Sequence, residues 1–253
     1  MSLAADYRGQ RAWRAWPRIF DALPPVSGQT VLDLGCGVGD QAADLVERGA
    51  RVIGVDMNDE LLRAARLRAL AGAEFRRADL RALPDLGPAV DGIWCSFAAA
   101  YFPDLASALA AWGKQLRPGG WIALTEVDDL FGHEPLGAST RAALEAYARA
   151  ALAAGRYDFK MGRKLRGHLE RAGFSPTAQS TVGDLELAFD GPARPDVLEA
   201  WRARLDRMTP LREACGPSFA GVRQDLLGCL AHAEHRSTAK VHCCIAVKPE
   251  PRA

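Results

Sequence analysis

A glycine-rich turn between two acidic residues is the first feature that points to chemistry. Residues 31–40 read VLDLGCGVGD, in which Asp33 precedes the glycines and Asp40 follows them. Glycine adopts positive φ angles and lets a ligand approach the backbone, and a helix that begins after the turn offers free N–H groups. Carboxylates at these positions repel a pyrophosphate and suit a cationic or amine-bearing ligand. The turn therefore predicts a site for such a ligand.

The spacing of the glycines separates this turn from two common phosphate-binding motifs. Gly35, Gly37 and Gly39 give the pattern Gly-x-Gly-x-Gly. Asp40 stands where the dinucleotide fingerprint Gly-x-Gly-x-x-Gly has its third glycine. No Gly-Lys-Ser/Thr tripeptide occurs, which excludes a P-loop. A nucleotide phosphate is therefore not the expected ligand of the turn.

Two more acidic residues follow the next two predicted strands, 51–55 and 73–77. Asp56 lies about 20 residues beyond the turn, where an acid accepts hydrogen bonds from both ribose hydroxyls. Met57 is expected to lie against an adenine face, and Asp79 is placed to accept a hydrogen bond from the adenine amino group. A single acid of this kind is more often a solvated loop residue. Acids at three successive strand ends, together with the glycine turn, favour a nucleoside site.

Alternating strands and helices are needed to bring these residues together. The predicted strands are 30–34, 51–55, 73–77, 92–96 and 121–127, and the predicted helices between them are 40–47, 59–70 and 104–116. Strands that alternate with helices of this length predict a parallel sheet covered on both faces, which is an α/β doubly wound fold. The glycine turn and the acids then meet at the carboxyl edge of the sheet, where such sheets bind ligands.

The rest of the chain is predicted to be largely helical, within one domain over 1–253. The further predicted elements are helices at 139–153 and 162–172, a strand at 181–189 from alternate Leu185, Leu187 and Phe189, a helical insertion at 195–234 and a last strand at 240–247. The insertion is interpreted as a cover over the acceptor side of a pocket, or as a dimer contact or packing layer. Residues 8–23 are predicted to be a helix that Pro17 kinks or restarts. The N-terminal segment 1–28 is interpreted as a lid, or as a helix packed on the sheet.

Composition narrows the partners and the compartment. The 253 residues carry a net charge of +1, so the sequence predicts no nucleic-acid partner. It shows no apolar leader and no apolar run long enough to span a bilayer, so a cytoplasmic location without membrane association is expected. The six cysteines form no CxxC pair, and His242, Cys243 and Cys244 alternate faces on a strand. We therefore expect reduced thiols and no metal site.

The motifs taken together resemble class I S-adenosylmethionine-dependent methyltransferases. DLGCGVGD, GVDMN, RRADL, DGIWCSF and LRPGGW carry the resemblance, which covers residues 29–128. It is closest to the small-molecule group that includes the ubiquinone/menaquinone-type (methyltransferase type 11) enzymes. The resemblance implies a Rossmann-like, seven-stranded, mostly parallel sheet in the order 3-2-1-4-5-7-6, with the last strand antiparallel. It also implies S-adenosyl-L-methionine as cofactor, S-adenosyl-L-homocysteine as product and a small-molecule methyl acceptor.

The resemblance also assigns residues to the cofactor. The expected cofactor-binding residues are Asp33, Gly35, Gly37, Gly39, Asp40, Asp56, Met57, Asp79, Leu80, Ser96 and Phe97. Within this set the glycines approach the methionine part, Asp33 orients the turn or the amino group, and Ser96 with Phe97 borders the sulfonium. We expect Asp56→Ala to remove most of the cofactor affinity with little loss of fold.

Catalysis needs mainly in-line positioning, because a sulfonium is already an activated methyl donor. A base is required only when the nucleophile carries a proton. The predicted catalytic residues are Asp128 and His133, which follow Glu126 beyond the fifth strand, and Tyr101, where many relatives carry a histidine. The alternatives are a turn or cap role for Asp128, a surface loop for His133 and simple packing for Tyr101.

Several other side chains are candidates for enclosing a ligand. Tyr157 and Phe159 interrupt a stretch rich in alanine, glycine and arginine, and they either line the acceptor site or pack in the core. By analogy with the resembled family, Tyr7, Arg11 and Trp13 close over the methionine end.

Three functions remain open on the sequence alone. The first is a methyltransferase that acts on a small molecule, as a monomer or homodimer. The second is a methyltransferase that acts on protein or RNA. A cluster of arginines at the mouth of the pocket would favour RNA. The third is a non-catalytic regulatory protein that binds S-adenosylmethionine.

Overall fold

The computed structural model describes residues 3–251 and contains one seven-stranded sheet. Its strands are β1 (Thr30–Leu34), β2 (Arg51–Asp56), β3 (Ala73–Arg77), β4 (Val90–Ser96), β5 (Leu116–Asp128), β6 (Ser175–Val182) and β7 (Lys240–Val247). The spatial order is β3-β2-β1-β4-β5-β7-β6. β1 to β5 are parallel, and β7 is antiparallel to both β5 and β6. The predicted fold class, strand order and antiparallel last strand are confirmed.

Helices cover the sheet and follow the strands as expected. They are α1 (Leu3–Gln10), α2 (Trp16–Phe20), α3 (Asp40–Glu47), α4 (Asp59–Arg66), α5 (Leu105–Trp112), α6 (Ala138–Ala153), α7 (Leu165–Arg171), α8 (Pro195–Arg207), α9 (Thr209–Cys215) and α10 (Phe219–Leu230). Asn58 fixes the start of α4, because its side-chain oxygen accepts hydrogen bonds from the N–H groups of Glu60 and Leu61 at 2.9 and 3.1 Å. The helix ends at Arg66, four residues before the predicted end at residue 70.

The sheet is buried on both faces, which explains its continuous apolar strands. Successive residues of one strand point into different layers: Val31 and Trp94 belong to the core on one face, and Leu32 and Ile93 belong to the core on the other. All four side chains are essentially inaccessible to solvent. Each such side chain stabilises the fold by roughly 1.5–3 kcal/mol. This burial fixes the strand ends at which the polar residues lie.

The strand predicted at 181–189 is wrong. The structure places β6 earlier, at Ser175–Val182, on the edge of the sheet, where most of its side chains are exposed. An exposed edge strand needs no apolar alternation, so its sequence gave no signal. The segment after it turns instead, because the Asp184 carboxylate accepts hydrogen bonds from the N–H groups of Glu186 and Leu187 at 2.8 and 2.7 Å.

The N-terminal segment is two helices rather than the single predicted helix. α1 ends at Gln10, a short 3-10 turn follows, and α2 begins at Trp16. Pro17 lies in the first turn of α2, where its missing N–H costs nothing, so it restarts the helix as predicted.

The predicted insertion is present between β6 and β7 as α8, α9 and α10. Pro210 lies in the first turn of α9, and Pro217 lies in the 3-10 turn that precedes α10. Both prolines therefore break the insertion as predicted. One face of α8 is buried through Val197, Trp201 and Leu205.

Candidate functional site

A cavity of about 700 Å³ opens at the carboxyl ends of the parallel strands. Gly35 follows β1, Asp56 ends β2, Ser96 ends β4 and Glu126 lies near the end of β5, and all four line the cavity. Residues of α1, α6 and α8 complete the lining. Doubly wound sheets bind ligands at this edge, and the volume lies within the usual range of small-molecule sites.

The glycine turn has the backbone conformation that its sequence predicts. Gly35, Gly37 and Gly39 have φ angles of 77°, 53° and 75°, which side-chain-bearing residues rarely adopt. A Cβ atom on Gly35 would lie 2.8 Å from the Cβ of Ala98, and one on Gly39 would lie 2.9 Å from the ring of Phe75. Gly35 and Gly37 line the cavity, whereas Gly39 serves the packing of the turn and precedes α3.

Asp56 is held in place by the backbone around it. One carboxylate oxygen accepts a hydrogen bond from the N–H of Gly37, and the other accepts one from the N–H of Asn58, each at 2.9 Å. A carboxylate has about four acceptor sites, so two remain for a ligand. Met57 lies beside it on the cavity wall and is 57% exposed. The pair is arranged to bind a hydroxyl-bearing ring with an apolar neighbour.

The loops after β3 and β4 bring four more of the predicted residues to the cavity. Asp79 and Leu80 line it, and the Asp79 carboxylate accepts a hydrogen bond from the N–H of Arg81 at 2.9 Å. Ser96 and Phe97 line it at the end of β4. The Ser96 hydroxyl is buried without a hydrogen-bond partner among residues 3–251, and Phe97 has a φ of 54°. An unpaired buried hydroxyl and a strained backbone next to a cavity are typical of ligand sites.

The structure places the remaining two acids differently from each other. Asp33 is buried beneath the turn and is not part of the cavity lining. Burial, together with the nearby charge of Asp56, raises the pKa of Asp33 to about 8, so it is largely protonated at neutral pH. It therefore offers no full negative charge to a ligand, and its Oδ2 is buried without a hydrogen-bond partner among residues 3–251. Asp40 does line the cavity and forms an ion pair with Arg68 at 2.7 Å.

All four tyrosines of the chain line this one cavity. Tyr101, Tyr147, Tyr157 and Phe159 form what we call the aromatic half. The Tyr101 and Tyr157 rings meet edge to face at 4.8 Å between centroids, and Phe159 lies 4.6 Å from Tyr157 and 5.4 Å from Tyr147. Burial raises the pKa of Tyr101 to about 12, so its phenol is a hydrogen-bond donor at neutral pH. Tyr7, from α1, covers the glycine turn near Gly37.

Glu126 is the buried carboxylate of this region. Its oxygens accept hydrogen bonds from the N–H groups of Ala100 at 3.1 Å and Val127 at 2.9 Å, which join the loop after β4 to β5. Burial raises the pKa of Glu126 to about 7, although these hydrogen bonds oppose the rise. The group therefore titrates near neutral pH within the cavity wall.

The other two predicted catalytic residues do not line the cavity. Both Asp128 oxygens accept hydrogen bonds from the Nε of Arg163, at 2.8 and 2.7 Å. His133 is fully buried, and its Nδ1 lies 3.0 Å from the Nε2 of His235. Burial lowers the pKa of His133 to about 3, so it is neutral at physiological pH. A catalytic role for Asp128 or His133 gains no support from these positions, because each is engaged in tertiary structure.

A buried ion-pair network that sequence reasoning missed joins the N-terminal segment to α8. Arg14 binds both oxygens of Asp184 at 2.7 and 2.8 Å and one oxygen of Glu186 at 2.6 Å. The other oxygen of Glu186 accepts a hydrogen bond from Arg204 on α8. Arg14 and Arg204 both line the cavity. Four residues from three distant parts of the chain meet here, so no local pattern announces the network.

Neither a membrane-spanning helix nor a metal-binding cluster occurs among residues 3–251. No helix there combines the length and the apolar character that crossing a bilayer requires. No three histidine, cysteine, aspartate or glutamate side chains in the same range are grouped to hold a metal ion.

The sequence relatives are methyltransferases. Residues 31–120 match the family model described as "Methyltransferase domain". Trans-aconitate 2-methyltransferase of Azoarcus sp. (strain BH72) is 43% identical over 113 residues, 44% of this chain and 44% of the relative. Ubiquinone biosynthesis O-methyltransferase of Paracidovorax citrulli (strain AAC00-1) is 35% identical over 113 residues, 43% of this chain and 48% of that relative. The match thus spans a little under half the length of these curated relatives.

The similarity of fold extends over nearly the whole chain. Geranyl diphosphate C-methyltransferase of Streptomyces coelicolor A3(2), solved with S-adenosyl-L-homocysteine, has a TM-score of 0.57 and 16% identity, covering 96% of this chain and 80% of that chain. The protein therefore has the fold of the class I S-adenosylmethionine-dependent methyltransferases, and residues 31–120 carry the sequence of a methyltransferase domain. The resemblance expected from the motifs is confirmed.

Proposed function

We propose that this protein transfers a methyl group from S-adenosyl-L-methionine to a small-molecule acceptor. One observation carries the proposal: a single cavity of about 700 Å³ is lined by the glycine turn and the strand-end acids and also by the aromatic half. Methyl transfer needs donor and acceptor side by side in a dry site, because proximity and orientation supply most of the rate.

The lining fits the cofactor. Asp56 has two acceptor sites left for the ribose hydroxyls, and Asp79 with Leu80 would hold the adenine. The glycine turn would accept the methionine part, since Gly35 and Gly37 line the cavity without side chains. Ser96, whose hydroxyl is unpaired within residues 3–251, lines the same cavity and would border the sulfonium. When bound, the cofactor supplies an activated methyl group.

The chain's own contribution is positioning and, where needed, the removal of a proton. The aromatic half excludes water and fixes the plane of the acceptor. The Tyr101 phenol, in the loop after β4, would donate a hydrogen bond to the acceptor. Among the titratable residues that line the aromatic half, Glu126 has a pKa near neutrality, at about 7. We propose that Glu126 is the general base, which removes the proton when the acceptor nucleophile carries one.

The relatives favour a small acceptor. Their names give trans-aconitate and a step of ubiquinone biosynthesis as what those proteins act on. A cavity of about 700 Å³ supports the same class here, and methylation of protein or RNA has no comparable support. The free, mostly buried cysteines fit a cytoplasmic protein. A monomer or homodimer is part of the same proposal.

Calorimetric titration with S-adenosyl-L-methionine and S-adenosyl-L-homocysteine tests the proposal. We expect one site per chain with micromolar affinity for both ligands. Transfer of a labelled methyl group to phenols, carboxylic acids and quinone-like acceptors then separates an enzyme from a non-catalytic binding protein. A folded protein that binds neither ligand contradicts the proposal, and binding without transfer to any acceptor favours the regulatory alternative.

A further inference from the structure

Arg204 reaches the cavity with most of its hydrogen-bonding capacity unused. Its guanidinium has five N–H donors on three nitrogens. One nitrogen binds Glu186, and Nε is buried without a partner. The remaining nitrogen makes no hydrogen bond to any residue from 3 to 251. The side chain is 24% exposed, and the cavity is the space that it lines. Arg204 therefore presents donors to whatever occupies the cavity.

Arg156 adds a second set of donors. It follows α6, is exposed and lines the same cavity. Its guanidinium makes no hydrogen bond or ion pair within the part of the chain that the structure describes. Arg207 differs, because it is paired with Asp6. The positive charge of Arg156 is therefore not neutralised by a carboxylate of residues 3–251.

The tyrosines extend the excess of donors over acceptors. None of the hydroxyls of Tyr7, Tyr101, Tyr147 and Tyr157 is hydrogen-bonded to a protein group in residues 3–251. Burial raises the pKa of each phenol, so all four keep their protons at neutral pH. Glu126, the carboxylate on this side, already accepts two backbone N–H groups, so about two of its acceptor sites remain for a larger number of free donors. A ligand that displaces water from this half of the cavity leaves these donors unpaired unless it supplies acceptors itself.

We propose that the methyl acceptor carries an oxyanion, a carboxylate or a phosphate monoester, and that Arg204 binds it with help from Arg156 and the tyrosine hydroxyls. An oxyanion offers several acceptor sites and matches the planar guanidinium. A cationic amine would face two arginines, and like-charge repulsion disfavours it relative to an anion. That the anion is the methyl acceptor rests on the proposed function, but binding of the anion can be measured without any methyl transfer.

Matched ligand pairs test the charge preference in the wild-type protein. The carboxylate probes are 4-hydroxybenzoate, 4-hydroxyphenylacetate, salicylate and octanoate, each compared with its amide. The phosphate probe is phenyl phosphate, compared with phenol. Melting temperatures are measured with each probe at millimolar concentration and saturating S-adenosyl-L-homocysteine. We expect acids to raise the melting temperature more than their neutral partners. Equal or larger effects of the neutral partners, or no effect of any probe, overturn the proposal.

Three variants assign the effect to residues. Arg204→Gln is expected to weaken binding of the preferred acid about 10–100-fold, and Arg156→Gln about 3–10-fold, since a hydrogen bond to a charged group is lost. Arg202→Gln is the matched control on α8, because Arg202 is exposed and pairs with Glu199 outside the cavity. Arg204→Gln removes one of the two arginines that bind the buried carboxylate of Glu186, and this loss can destabilise the fold. Within residues 3–251, Arg156 binds no carboxylate, so Arg156→Gln carries no such cost. The assignment is refuted if acid affinity is unchanged in Arg156→Gln and in a folded Arg204→Gln variant.

The outcomes also separate this proposal from the broader one. Preference for benzoates over phenyl phosphate identifies a carboxylate acceptor, and the reverse identifies a phosphate monoester. Binding of S-adenosyl-L-homocysteine with no preference for anions rejects the oxyanion and leaves the methyltransferase proposal intact. Anion binding by Arg204 in a protein that binds no S-adenosyl-L-homocysteine rejects the methyltransferase proposal instead.

Discussion

Replacement of Asp56 by alanine separates two roles that the structure combines in one carboxylate. The sequence alone leads to the expectation that Asp56→Ala costs affinity and little stability. The structure changes that expectation, because both oxygens accept backbone hydrogen bonds, from Gly37 within the turn and from Asn58 before α4. The same carboxylate therefore supports the turn and is also the group that we propose binds the ribose.

The magnitudes follow from the number of hydrogen bonds. A hydrogen bond to a charged group contributes about 1.5–3 kcal/mol. The two backbone N–H groups lie beside the cavity and regain water in the variant, so we expect the free energy of unfolding to fall by about 1–3 kcal/mol. Two lost hydrogen bonds to the ribose amount to about 3 kcal/mol or more, which weakens cofactor binding by roughly 10²-fold or more.

Urea unfolding and calorimetric titration with S-adenosyl-L-homocysteine measure the two effects on the same samples. Asp59→Ala is the control, because Asp59 lies three residues further along, is 63% exposed and lies outside the cavity. We expect the control to bind like the wild type. A folded Asp56→Ala variant that binds within twofold of the wild type refutes the assignment of Asp56, and unchanged stability refutes its support of the turn.

Three further substitutions probe the turn and two buried titratable groups. Gly35→Ala places a Cβ at a φ of 77° and 2.8 Å from the Cβ of Ala98, so the melting temperature and cofactor affinity should both fall; wild-type values would falsify this. Burial raises the pKa of Asp33 from 3.8 to about 8, so the wild type loses stability as the pH rises through this window. Urea unfolding of Asp33→Asn should lack that loss, and parallel stability curves would contradict it. Burial lowers the pKa of His133 from 6.5 to about 3, so stability present above pH 6.5 is lost as the pH falls toward 3. Circular dichroism should show His133→Phe unfolding at a lower pH than the wild type; an equal or higher midpoint argues against the buried neutral histidine.

The glycine-containing half of the site was predictable because its signals are local. The turn from Gly35 to Gly39 needs positive φ angles at three fixed positions, and the glycines at those positions can be recognised in the local sequence. Asp56 and Asp79 lie at or just after the ends of successive strands, and parallel strands bring such ends to one edge of the sheet. Asp33 is the exception, since its burial beneath the turn depends on packing that no spacing reveals.

The aromatic half was not predictable, because its members come from distant segments. Tyr147 on α6 and Arg204 on α8 carry no local sign that they share a cavity. Proximity in sequence to β5 suggested Asp128 and His133, yet Asp128 pairs with Arg163 and His133 packs against His235. The direction of a side chain beyond a strand end depends on tertiary contacts, which a sequence pattern does not contain.

A crystal structure of the protein with S-adenosyl-L-homocysteine tests the central claim most directly. The account predicts the ligand in the 700 Å³ cavity, with its ribose hydroxyls on Asp56, its adenine beside Asp79 and Leu80 and its sulfur near Ser96. The sulfur should then face the aromatic half. A ligand bound elsewhere, or a cavity without ligand density at saturating concentration, contradicts the account.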